Sequence, residues 1–85
     1  MGLEFVEFVM GVEDEFGVKI PDDVLIQLET MGDWHSFLIK LLPDSPPDEV
    51  WERLLNIVCQ QMGFNADARS KISSTDRLIQ DLNLS

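Results

Sequence analysis

The chain of 85 residues is poor in the residue types that carry covalent chemistry or grip nucleic acid. It holds one cysteine, Cys59, so no internal disulfide can form, which fits a reducing, cytoplasmic setting. It holds one histidine, His35, far from Cys59 in sequence, and the two cannot make a zinc site; no metal ligand set is expected. Only 6 Lys and Arg stand against 16 Asp and Glu, with no basic stripe, which excludes DNA, RNA and anionic membrane as ligands. No apolar run approaches the roughly 20 residues that span a bilayer, and no secretory leader is expected. No glycine-rich phosphate loop is present, and DDVLIQLE lacks the glycine and ligand spacing of a calcium loop. His35, beside Trp34, reads as a surface histidine, and Asp22 and Asp23 read as helix-start acids. No catalytic residues are assigned; the chain reads as a binding or interaction module, not an enzyme.

What is present is acid and apolar periodicity. The net charge of −10 is uneven: residues 1–42 carry −7 and residues 43–85 carry −3. Such a chain suits basic protein surfaces, where charge speeds encounter more than it adds affinity. Hydrophobic residues make up 45%, enough for one small core.

The periodicity predicts an all-α bundle of three to four helices. Leu3 to Phe16 places Phe5, Val9, Val12 and Phe16 on one face, with Leu3, Val6 and Met10 beside them. Glu4, Glu7, Gly11 and Asp14 form the opposite face. Gly17 is the C′ residue. Pro21 closes the following loop and Asp22 and Asp23 open a short VLIQL helix. Thr30 caps the next helix with Asp33 three residues on, and Trp34, Phe37, Leu38 and Leu41 form its buried stripe to about Leu42. LPDSPPDE interrupts every period and is the linker, with Ser45 as the next N-cap. Val50, Trp51, Leu54, Ile57 and Val58 mark a helix ending near Gly63, with Cys59 inside it. The remainder is expected to be mostly loop, anchored by Ile72, Leu78, Ile79 and Leu82, with Thr75 capping a short turn.

Three stretches resemble the acyl carrier protein family. LEFVEFVMGVEDEFGVKIPDD is similar to the family's second helix and the IPD turn after it. TMGDW, from Thr30 to Trp34, is similar to the start of its last helix. EVWERLLNIVCQQMGFNADARSKISSTDRLIQDLNLS resembles the family's first helix and long loop, with Gly63, Ile72 and Asp81-Leu82 in family order. In the family these parts come first; here they follow. The resemblance therefore implies one domain over 1–85, circularly permuted. Residues 1–42 match the second to last helices, 43–47 are the linker, and 48–85 match the first helix and loop.

The resemblance also implies a changed site. Gly2 falls at the position of the family's serine that carries 4′-phosphopantetheine, and glycine has no hydroxyl to esterify. Ser85 falls one position earlier and is the alternative attachment point for a working carrier; otherwise no cofactor is expected. What remains of the family's function is the acidic helix, whose Glu4, Glu7, Asp14 and Glu15, with Glu13 alongside, would dock on basic patches of fatty-acid or polyketide type enzymes. A monomer and a domain-swapped dimer hinged at the linker are both open.

Overall fold

The computed structural model describes residues 3–78 and 81–82. Among these it is all-helical, with α1 at Leu3–Phe16, α2 at Asp22–Leu25, α3 at Met31–Leu41, α4 at Pro47–Met62 and α5 at Ala66–Ser70. No strand occurs among the described residues, and no helix there is long and apolar enough to cross a membrane. Gly2, Ile79 and Ser85 lie outside the described residues.

The core is built where three helices meet. α1 buries Phe5, Phe8, Val9, Val12 and Phe16; α3 buries Met31, Trp34 and Leu38; α4 buries Val50, Leu54, Leu55 and Val58. Trp34 sits at the centre with its ring edge-on to Phe8, centroids 5.0 Å apart, and to Phe5 at 6.3 Å. Such edge-to-face pairs add about 0.5–1.5 kcal/mol beyond burial. The Trp34 indole nitrogen is buried with no hydrogen-bond partner among the described residues, so packing alone holds the ring.

Chain ends of the helices follow local chemistry. At α1 and α4, Gly17 (φ 65°) and Gly63 (φ 68°) take the left-handed conformation that closes a helix. The next amides, of Val18 and Phe64, donate back to the carbonyls of Glu13 and Cys59. At α3 the capping box is complete: the Asp33 amide donates to Thr30 Oγ1 at 3.0 Å, and Asp33 Oδ2 accepts from the Thr30 amide at 3.2 Å.

Several expectations need correction. Val6 and Met10 are exposed at 39% and 57%, because the arc of apolar residues on α1 is wider than two neighbouring helices can cover; Phe8 takes the buried place instead. Leu41 is exposed at 43% and Phe37 is half-buried, while Trp34 and Leu38 of the same stripe are fully buried. Ser45 does not cap α4. Pro46 does so with φ −61°, and Pro47 opens the helix, where the donors that proline lacks are not needed. The segment after Gly63 is more ordered than a loop: Asn65 Oδ1 accepts from the Ala68 amide at 2.9 Å and starts α5. Among the described residues Thr75 caps no helix; its hydroxyl pairs with Ser73 Oγ.

α4 runs antiparallel along α1. Gln61 reaches Glu7, Ile57 faces Gly11 and Arg53 reaches Glu15, so positions rise in α1 as they fall in α4. A Cβ on Gly11 would lie 3.3 Å from Ile57 Cγ2, so the missing side chain sets the close spacing. α3 joins the start of α4, where His35 Nε2 donates to the Pro47 carbonyl at 2.8 Å and its ring lies 5.2 Å from that of Trp51. The segment from Ile72 to Leu78 then straps the start of α3. The amides of Met31 and Gly32 donate to the carbonyls of Asp76 and Ser74 at 2.9 and 2.8 Å, and the Leu78 amide donates to Glu29. These bonds satisfy donors that a helix start leaves open. Ile72, Leu78 and Leu82 anchor the strap in the core.

The two helical glycines therefore have opposite tolerances. A Cβ on Gly32 would meet the backbone carbonyl of Ser74 at 2.9 Å, and backbone cannot swing away. Gly32→Ala is expected to cost about 1–3 kcal/mol in urea unfolding. At Gly11 the obstacle is a side-chain methyl, and alanine gains about 1 kcal/mol of helix propensity, so Gly11→Ala should stay within about 1 kcal/mol of wild type.

The strap also carries an acid-sensitive contact. Asp81 Oδ2 accepts from the Arg77 amide at 2.8 Å, and this bond, with the Arg77 side chain, holds the Asp81 carboxyl below its ordinary value. A depressed carboxylate stabilises the fold above its unfolded value, and that contribution is lost as pH falls through the folded value. Protection of the Leu78 amide, its exchange measured against the unprotected rate at the same pH, should therefore fall on acidification in the wild type. In Asp81→Asn it should start lower and lose part of that acid dependence.

Candidate docking surface on the first helix

The acids of α1 are at the surface, but α4 and the α1–α2 loop sort them into two classes. Glu7 Oε2 accepts from Gln61 Nε2 at 2.8 Å. Glu13 is half-buried and turned back on its own loop, where its Oε2 accepts from the Ile20 amide at 2.9 Å. Glu15 is the most heavily engaged: Arg53 donates to its carboxylate through Nε at 3.0 Å and through a terminal nitrogen at 2.8 Å. The same nitrogen donates to the Glu15 carbonyl at 2.7 Å. Glu4 and Asp14 are exposed and make no ion pair among the described residues.

Sequence reasoning grouped Glu4, Glu7, Gly11 and Asp14 as one face away from the core. In the folded chain that face borders α4, and Gly11 is its contact point. Val6, Met10 and Asp14, spaced four residues apart, are exposed in a single row along α1, and Asp14 lies where this row meets the α4 border. The signal for it was in the sequence: the apolar arc of α1 was too wide to be buried whole. At the C-terminal end of the row a shallow hollow of about 470 Å³ is lined by Met10, Glu13, Asp14, Gly17, Val18 and Lys19. A second, of about 360 Å³, lies in the seam with α4, lined by Glu7, Gly11, Asp14, Glu15, Ile57, Gln60 and Gln61.

The arginines are paired locally. Arg53 pairs with Glu15, Arg69 with Glu52 and Arg77 with Asp81, so each arginine faces an acid of its own chain. Cys59 is half-buried, and burial raises its thiol pKa, against an opposing effect of Arg69. A raised thiol holds little thiolate and makes a poor nucleophile. Among the described residues no group of three His, Cys, Asp or Glu could hold a metal ion.

The surface is thus a row of two apolar side chains and an acid, bordered by further acids, on the outer face of α1. Comparison with known proteins bears on its meaning. No family model and no solved structure matches the chain. Among curated proteins, it is 44% identical over 36 residues to the acyl carrier protein of Lactobacillus acidophilus, covering 42% of this chain and 45% of that one. It is 43% identical over 44 residues to the meromycolate extension acyl carrier protein of Mycolicibacterium aurum, 52% of this chain and 45% of the relative. The protein of the same description in Mycobacterium tuberculosis is also 43% identical over 44 residues, 52% of this chain and 38% of its own length. The chain spans about half the length, or less, of the curated relatives it matches, and over that span it is similar to acyl carrier proteins.

Proposed function

We propose that the chain is a cytoplasmic, non-enzymatic relative of acyl carrier proteins that docks on basic surfaces of fatty-acid or polyketide type enzymes through α1. In this reading α1, α2 and α3 are counterparts of the family's second to last helices, α4 is the counterpart of its first, and the helix order is circularly permuted. The antiparallel seat of α4 on α1 supports it, as does similarity confined to about half of each relative.

The observation that carries the docking proposal is the outward row of Val6, Met10 and Asp14. A partly exposed valine and a methionine exposed at 57% have no structural reason to sit together on a chain of net charge −10. Methionine adapts its shape to different partners, and Asp14 beside it selects for positive charge. Glu4, Glu7, Glu13 and Glu15 then supply a negative field around the row. Glu7 and Glu15 act less directly, since each is already held by α4.

Phosphopantetheine does not fit the position that the resemblance assigns to it. Gly2 has no hydroxyl, and phosphodiester formation needs one. No step through the prosthetic group is assigned to this chain. Ser85 offers a hydroxyl one position earlier.

Two measurements test the proposal. Met10→Ala combined with Asp14→Lys should weaken capture of enzymes from the native lysate about tenfold, while Glu7→Gln should leave it nearly unchanged. Unchanged capture by the first variant would remove the row as the docking surface. Co-expression with a broad-specificity phosphopantetheinyl transferase should leave the intact mass unaltered beside a control carrier that is converted. A gain of one phosphopantetheine, lost in Ser85→Ala, would replace the arm-less reading with that of a working carrier.

A further inference from the structure

We propose that the last turn of α1 is a binding site for the guanidinium of a partner protein's arginine, and that Arg53 occupies it in the free chain. Three features meet there. The Glu15 carboxylate accepts from two donors of one guanidinium, at 3.0 and 2.8 Å. The Glu15 carbonyl, at the negative end of α1, accepts a third hydrogen bond at 2.7 Å. The Phe16 ring lies 4.5 Å below the guanidinium carbon. One carboxylate oxygen shared by two N–H donors, a helix-end carbonyl and an aromatic face together suit the planar, many-donor guanidinium of arginine better than the point-charge ammonium of lysine.

The occupant is exchangeable. The Arg53 and Glu15 side chains retain 31% and 46% exposure, so the pair stands in contact with water. Exposed ion pairs of this kind are weak, which makes displacement possible. The seam hollow lined by Glu15, Asp14 and Gly11 adjoins the site and gives an incoming side chain room. Arg53 is thus a built-in competitor: it raises the threshold that a basic partner must exceed before it engages this end of α1. This rests on the docking proposal only for the existence of a partner. The site itself is defined by contacts within the chain.

The test uses acetyl-hexa-arginine amide as the probe, with affinity from calorimetry and location from amide shifts. Arg53→Ala vacates the site; Arg69→Ala removes the same charge from the pair with Glu52 and serves as the control. The Arg53 variant should bind the peptide about fivefold tighter than the Arg69 variant, the equivalent of one exposed ion pair, with shifts centred on Glu15 and Phe16. Arg53→Lys keeps the net charge but loses the fork, so it should bind more tightly than wild type; it is the decisive variant where Arg53→Ala fails to fold. Equal affinities for the Ala pair, or no gain with Arg53→Lys, would overturn the site. So would shifts confined to Met10 and Asp14, a result that would leave the docking row standing.

Discussion

At Gly11 the backbone of α1 comes so close to α4 that a single methyl group would press on Ile57 at 3.3 Å. That approach fixes the distance between the two helices. It lets Gln61 reach Glu7 on one side and Arg53 reach Glu15 on the other. With α4 seated there, Val50, Leu54 and Val58 close the core under Phe8 and Trp34, and the remaining arc of α1 is left to solvent. A glycine in mid-helix costs about 1 kcal/mol relative to alanine. At Gly11 that cost offsets the strain a methyl group would bring against Ile57.

The same packing decides which charges a partner would meet. An acidic helix on its own offers every carboxylate equally. Here Glu7, Glu13 and Glu15 are held by Gln61, the Ile20 amide and Arg53, while Glu4 and Asp14 have no such bond among the described residues. The sequence-level charge of α1 therefore overstates its directed charge. The apolar pair Val6 and Met10 gives the surface its centre, and the acids give it sign and range. The strap over α3 plays the complementary part at the other end of the bundle, satisfying helix-start amides with carbonyls and using no charged side chain to do so.

Most of the fold could be read from the residues, because its signals are local. The bounds of α1, the glycine stops at Gly17 and Gly63 and the capping box at Thr30 and Asp33 each depend on a few neighbouring positions. The missed features depend on tertiary partners. Periodicity could rank Val6 and Met10 as apolar but not say that α3 and α4 together cover too little of α1 to bury them. It could place Arg53 on α4 but not carry it across 38 positions of sequence to Glu15. Asn65 is a local cap signal too, but a five-residue helix gives it little periodicity to stand on. Within the candidate site the acids were legible. Their division by α4 was not.

The antiparallel contact of α1 and α4 within one chain, at Gly11 and Ile57, is what places the acids and the outer row. An isotope-filtered nuclear Overhauser experiment between the Gly11 α-protons and the Ile57 γ2 methyl examines that contact alone. A strong cross-peak within singly labelled chains, undiminished when they are diluted with unlabelled ones, is the expected result. A missing cross-peak, or one that arises only between differently labelled chains, would contradict the bundle and assign the pairing to an exchanged dimer.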